Sequence, residues 1–290
     1  MTRIPTGTGI WSGVLRSGDP HETAAAAAEM ESLGYSALWI PDIGGDVFGA
    51  VEHLLTATST ATIATGILNL WMHTAEETAA QHASLTAQHG PRFLVGIGVS
   101  HAPLIDYKIE AGAYQKPMAQ TRAFLDALDA ADVPLAAADR ALAALGPKML
   151  ELAATRTAGV HPYLVTPEHT RIARDTVGPD AMVATEQGVI LETEPDRARS
   201  IARMNLAGYF GLPNYTNNWK RLGFDEDEIA DGGSDRLIDA LVVWGDENAI
   251  AARVQEHRDA GASHVCVQVL TDDPKALPLE QWRLLAPALC

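Results

Sequence analysis

Apolar runs of strand length alternate with capped, amphipathic stretches along the whole 290-residue chain, eight times in all. This rhythm predicts a parallel sheet, because parallel neighbours must be joined by a crossover that is usually helical. Eight repeats in a chain of this length favour a closed (β/α)8 TIM barrel over an open, doubly wound sheet. The open sheet is also short of its usual fingerprint, since Gly96-Ile-Gly98 lacks the third glycine of a dinucleotide turn. Strands are expected at 8–15, 35–40, 63–71, 93–98, 141–145, 160–164, 182–185 with 189–191, and 264–270. Asp19-Pro20, Thr74-Ala-Glu-Glu77 and Thr166-Pro-Glu-His169 are helix starts, with a capping box expected at Thr74. Residues 102–115 read as a loop, the last helix as 247–260, and 205–235 as a lid-like insertion into a single 1–290 domain.

Three of the strands end in polar, glycine-rich elbows that run directly into helices. They are Ile63-Ala-Thr-Gly-Ile-Leu-Asn69, Phe93-Leu-Val-Gly-Ile-Gly-Val-Ser-His101 and Leu142-Ala-Ala-Leu-Gly-Pro-Lys148. Strand carboxyl ends of this kind are where parallel α/β folds assemble their sites. A net charge of −16 argues against a nucleic-acid partner, which would need clustered lysine and arginine. No run approaches the ~20 apolar residues of a membrane span. The opening Met1-Thr-Arg-Ile-Pro5 lacks a signal-peptide core, and Cys266 and Cys290 are too few for a disulfide framework, so a cytoplasmic protein is expected.

Each candidate site residue has a bland reading beside its chemical one. Gly146-Pro147-Lys148 opens a helix with proline at N1 and a lysine where the helix dipole disfavours a cation. A bound phosphate would account for that lysine, while a plain turn with a solvated side chain is the alternative. Gly66 within Thr65-Gly-Ile-Leu-Asn69 marks either a barrel bulge or a close backbone approach to a ligand. His101 follows a strand end and suits proton transfer, although a lone histidine is more often structural. His73, His161 and Asp42 share the expected rim, while His53, His82, His89, His169 and His257 fall on or beside helices. No His-x-His, His-Glu-x-x-His or Cys-x-x-Cys spacing points to a metal, and no Gly-x-Ser-x-Gly to a serine hydrolase.

Taken in order, Gly34-Tyr-Ser-Ala-Leu-Trp-Ile-Pro-Asp42, Ala64-Thr-Gly-Ile-Leu-Asn69, Pro91-Arg-Phe-Leu-Val-Gly-Ile-Gly-Val-Ser-His101 and Ala144-Leu-Gly-Pro-Lys-Met-Leu-Glu-Leu-Ala153 resemble the luciferase-like monooxygenase superfamily, in particular its coenzyme F420-dependent branch. The resemblance spans nearly the whole chain and implies a bacterial-luciferase-like barrel that transfers a hydride between F420 and a small organic substrate. It implies that Asp42 lies beside the polar edge of the cofactor ring. It places Gly66, Ile67, Leu68 and Asn69 at a bulge behind the ring, with a non-proline cis bond at Gly66–Ile67. Gly98 and Val99 would pass near the ring, and Leu145, Gly146, Pro147 and Lys148 would hold the ribityl chain and phosphate. Many F420-dependent relatives carry a histidine directly after the aspartate, whereas Ile43 follows Asp42 here. His101 is therefore the first candidate for the proton role and His73 the second. The same resemblance allows an FMN-dependent monooxygenase or a non-catalytic F420-binding protein, and relatives are often dimers. A metal-dependent barrel hydrolase built on Asp42, His73, His101 and His161 is a third rival.

Overall fold

Each central strand is covered on both faces, which is why its sequence is an apolar run and not an alternation. The computed structural model describes residues 2–290, so Met1 lies outside the described residues. The strands are β1 (Gly7–Trp11), β2 (Ala37–Ile40), β3 (Thr62–Thr65), β4 (Leu68–Asn69), β5 (Phe93–Gly98), β6 (Arg140–Leu142), β7 (Gly159–Val160), β8 (Met182–Ile190), β9 (Val242–Trp244) and β10 (His264–Val269). Every pairing is parallel. The ladder runs from β10 through β1, β2, β3, β5, β6 and β7 to β8, and β8 pairs back to β10. β3 pairs with the start of β5 and β4 with its end, so the two make one stave. The result is the closed eight-stave (β/α)8 barrel that the alternation predicts. β9 is additional and pairs with the upper part of β8, Gly188–Ile190.

The three N-caps form where expected, but the capping box at Thr74 is only half made, since the Glu77 carboxylate lies toward His73 and does not return to the Thr74 N–H. Asp19 accepts hydrogen bonds from the backbone N–H groups of His21 and Glu22, Thr74 from Glu77, and Thr166 from His169. Three corrections follow from local physics. Residues 102–115 are not all loop: Pro103 sits in the first turn of a helix, Ala102–Lys108, that buries Ile105. The 205–235 segment contains the helices Pro213–Arg221 and Glu226–Ile229, and a further helix, Asp235–Leu241, starts at its end; together they bury Tyr215, Trp219, Ile229, Leu237 and Ile238 in a second core that also takes in Leu164, Ile190 and Leu270. The polar composition of the segment hides these short amphipathic turns. A final helix, Leu279–Leu289, follows the one read as last.

Inside the barrel Trp39 is enclosed by Ala37, Ala64, Ala141 and Ala184. Its Nε1 donates to His264 Nε2 at 3.1 Å, and the His161 ring stacks on it at 4.2 Å between centroids. The larger core lies between the barrel and the outer helices.

Burial pushes three imidazoles down, His161 to about 4 and His257 and His264 to about 3. Burial pushes the Glu186 carboxyl the other way, up to about 8. The unfolded chain binds protons at these imidazoles near pH 6.5 and the native state does not, so their contribution is complete above that pH and is lost as the pH falls toward 3–4. Glu186 has the opposite sign, since it is already protonated in the native state. Three imidazoles against one carboxyl leave about two protons taken up on unfolding between pH 6 and 5, to which His82, His101 and His169, also lowered by burial, add and from which His73, raised by Asp42, subtracts. Urea unfolding should therefore lose on the order of 2–3 kcal/mol of stability per pH unit in that interval. A flat profile there would contradict the buried neutral state of these histidines.

Candidate functional site

The carboxyl ends of the strands open into one cavity of about 580 Å3. Its floor is Trp11, Gly66, Ile67 and His161, and its walls are the elbows at Asp42, Gly98–His101 and Ala143–Gly146. The Pro213–Arg221 helix and Tyr209 close the remaining side. Of the residues expected from sequence, Asp42, Gly66, Ile67, Gly98, Val99, His101, Leu145 and Gly146 line this cavity. Leu68, Asn69, His73, Pro147 and Lys148 are not on its surface.

The Gly66–Ile67 peptide is cis. Its carbonyl accepts from Trp11 Nε1 at 3.1 Å. A Cβ on Gly66 would stand 2.6 Å from Trp11 Nε1 and 2.9 Å from His161 Nε2, so no larger residue fits. Gly98 is constrained in the same way, with a Cβ falling 2.6 Å from the Ile67 side chain. His161 Nδ1 donates to the Ala184 carbonyl at 2.8 Å, which leaves Nε2 as an acceptor with no partner among the described residues.

Asp42 is knitted into the elbow of β3 and β4. Its Oδ2 accepts from His73 Nε2 at 2.9 Å and from the Asn69 N–H at 3.0 Å, and its Oδ1 from the Gly44 N–H at 3.1 Å. Burial alone would raise its pKa, but these donors outweigh burial and hold it below the usual carboxylate range. The bond to Asp42 raises His73 above its ordinary value despite burial. An Asp–His pair thus exists, built from two different strand ends. Asn69 also turns its Oδ1 back to the Trp71 N–H, so it shapes the elbow.

His101 caps the Ala102–Lys108 helix after Ser100, whose φ of 54° turns the chain. Asn214 fixes its state. The Asn214 amide nitrogen donates to the Ser100 carbonyl at 3.2 Å, which identifies it as the NH2 group, and it lies 3.3 Å from His101 Nδ1. Nδ1 is therefore an acceptor and carries no proton, and burial lowers the pKa of the ring. The proton sits on Nε2, which has no protein partner among the described residues. Such a ring is a hydrogen-bond donor rather than a free base.

The fold is shared with proteins of known structure. Residues 4–132 match the luciferase-like monooxygenase family model. That match takes in the elbows at 63–69 and 93–101 and, with the barrel, bears out the resemblance to the luciferase-like superfamily. An F420-dependent secondary alcohol dehydrogenase, solved with an F420–acetone adduct, is 15% identical with a TM-score of 0.75, covering 99% of this chain and 100% of its own. The coenzyme F420-dependent tetrahydromethanopterin reductase of Methanopyrus kandleri is 18% identical with a TM-score of 0.76, covering 99% of each chain. The oxygenating constituent of 3,6-diketocamphane monooxygenase from Pseudomonas putida, solved with FMN, is 14% identical with a TM-score of 0.70, covering 98% of this chain and 99% of its own. No curated protein sequence matches the chain. At these identities the solved structures speak for the fold.

Asn214, Tyr209, Tyr215 and Arg221 are site residues that the sequence reading did not name. Asn214, Asn217 and Arg221 recur at helical spacing, and that periodicity was the available signal. Among the described residues no three metal-ligating side chains converge.

Two glycine substitutions separate site geometry from general tolerance. Gly66→Ala should lower stability by about 1–3 kcal/mol through overpacking and shrink the cavity floor. Gly146→Ala, whose Cβ would meet only Arg221 Nη2 at 3.6 Å, should unfold at the wild-type temperature. Thermal unfolding of both variants checks this, and equal midpoints would refute the tight fit at Gly66.

Proposed function

We propose that the protein is an F420-dependent oxidoreductase that moves a hydride between the deazaflavin and a small organic substrate bearing a carbonyl or hydroxyl. The observation that carries this reading is the neutral, Nε2-protonated His101 on the wall of a cavity floored by the Gly66–Ile67 bulge. Support also comes from the F420-dependent enzymes among the structures with this fold. Coenzyme F420, when bound, supplies two-electron hydride chemistry, and the protein supplies orientation and electrostatics.

In this reading Ile67, Gly66 and Trp11 support the ring, Gly98 and Val99 border it, and Asp42 faces its polar edge. His73 is a positioning residue that acts through Asp42. His101 donates a hydrogen bond from Nε2 to the substrate oxygen, which polarises a carbonyl in the reducing direction, while the proton that completes the alcohol, or leaves it in the other direction, is exchanged with solvent water, since the neutral ring keeps its own. Asn214 keeps that tautomer by occupying Nδ1. The substrate is held between His101, Tyr215 and the insertion, which serves as a lid of the single domain.

The first experiment is a fluorescence titration of the purified protein with F420 and, in parallel, FMN. Micromolar or tighter binding of F420 with little of FMN is expected. Preference for FMN would transfer the protein to the oxygen-using chemistry of the monooxygenases, and binding of neither would overturn the cofactor reading. Once a substrate is found, His101→Ala should lower turnover about a hundredfold with cofactor affinity kept, and His101→Gln should restore part of it. Unchanged turnover in His101→Ala would remove the residue from the mechanism.

A further inference from the structure

Aromatic rings line one wall of the cavity without a break. They run from Trp11 on the floor through Tyr163, Tyr209 and Tyr215 to His101. Successive ring centroids are 5.3, 5.7, 5.1 and 5.2 Å apart, within the range over which such rings attract one another. Trp11, Tyr163 and His101 stand at the ends of barrel strands, whereas Tyr209 and Tyr215 come from the insertion.

Packing alone does not account for this wall. The insertion is already anchored by the fully buried Trp219, whose Nε1 donates to the Leu164 carbonyl at 3.2 Å. Phenylalanine at the three tyrosine positions would pack without a hydroxyl to desolvate. The hydroxyls are instead ordered. Tyr163 gives its one O–H to Gln268 Oε1 at 2.8 Å. Its oxygen lies 3.2 Å from the Tyr209 hydroxyl, so Tyr209 is the donor of that pair. The Tyr209 proton is thereby occupied, and its oxygen keeps lone pairs that no donor among the described residues fills.

The elbow that carries Tyr163 is fixed from beneath. Glu186, 1% exposed, accepts from the Leu164 N–H at 3.0 Å, and its own N–H donates to the Pro162 carbonyl at 3.0 Å. With its carboxyl pushed up to about 8 by burial, Glu186 places no charge under the rings at neutral pH. The wall therefore offers flat apolar faces, one lone-pair acceptor and no charge.

We propose that the substrate is a flat, unsaturated cyclic ketone, or its alcohol, that carries a second, uncharged hydroxyl. This hydroxyl donates to Tyr209 Oη while the reacting oxygen accepts from His101 Nε2. The proposal rests on the hydride-transfer reading for the reacting oxygen and names the substrate class within it. In that reading Trp11 supports the cofactor ring and His101 meets the substrate oxygen. The three tyrosines stand between them, so a substrate that reaches both lies along the wall. Tyr209 is then a specificity-determining residue.

The test is a calorimetric titration of the protein, with and without bound F420, using α-tetralone, α-decalone, the ring-hydroxylated α-tetralones and their methoxy ethers. α-Tetralone, whose fused benzene ring is flat, should bind about threefold or more tighter than α-decalone. One hydroxytetralone should bind about three- to tenfold tighter than α-tetralone, and its methoxy ether should show no such gain. Tyr209→Phe, which keeps the ring, should abolish the hydroxyl preference. No binding of any tetralone, equal binding of α-tetralone and α-decalone, ethers that match the hydroxytetralones, or a hydroxyl preference that survives Tyr209→Phe overturns the proposal. Tight F420 binding alongside such a result keeps the cofactor reading. A hydroxyl preference lost in Tyr209→Phe, in a protein that binds neither F420 nor FMN, keeps the substrate class and sinks that reading.

Discussion

The packing of Trp39 inside the barrel governs everything above it. An indole is too large for a barrel interior unless its neighbours are small, and Ala37, Ala64, Ala141 and Ala184 provide that room. Its N–H holds His264 on β10, and its face carries His161 beyond β7. His161 in turn comes up beneath Gly66, so the cavity floor is set by a stack that starts in the barrel core. A site resting on such a column is pre-organised by packing that no loop can disturb.

Charge is arranged locally against the global balance. The chain carries a net −16, yet the cavity presents neutral or donating groups: His101 with its Nε2–H, the Asn214 amide, Arg221 and an uncapped helix start. Among the described residues Asp42 is the one carboxylate on the cavity surface, and its three donors already satisfy it. Local donors in a partly desolvated cleft can hold an anionic ligand that the surface field as a whole would repel.

What the sequence disclosed followed from local signals. Period and capping disclosed the barrel, and the glycine elbows disclosed Gly66, Gly98 and Leu145–Gly146. Contacts between distant segments were hidden. Nothing in Asp42-Ile43 shows that a histidine thirty-one residues on completes an Asp–His pair. Lys148 stood out because it follows the Gly146 elbow in sequence, whereas helical geometry turns it outward and the guanidinium on the cavity surface is that of Arg221, from another element. The insertion concealed its share of the site for the same reason, since polar residues such as Asn214 and Asn218 gain meaning only from the His101 and Arg221 they meet.

β8 has a consequence for engineering. Its nine residues run beyond the two of β7, and the upper part of that edge is taken by β9, which follows directly after the insertion. The chain from Leu206 to Val242 thus delivers, outside the eight closed staves, the strand that covers this edge. Shortening or transplanting it would leave Gly188–Ile190 as an open strand edge, ready to pair with another molecule. Redesign of specificity in this scaffold must therefore replace side chains along the Pro213–Arg221 helix and keep the length of its connection.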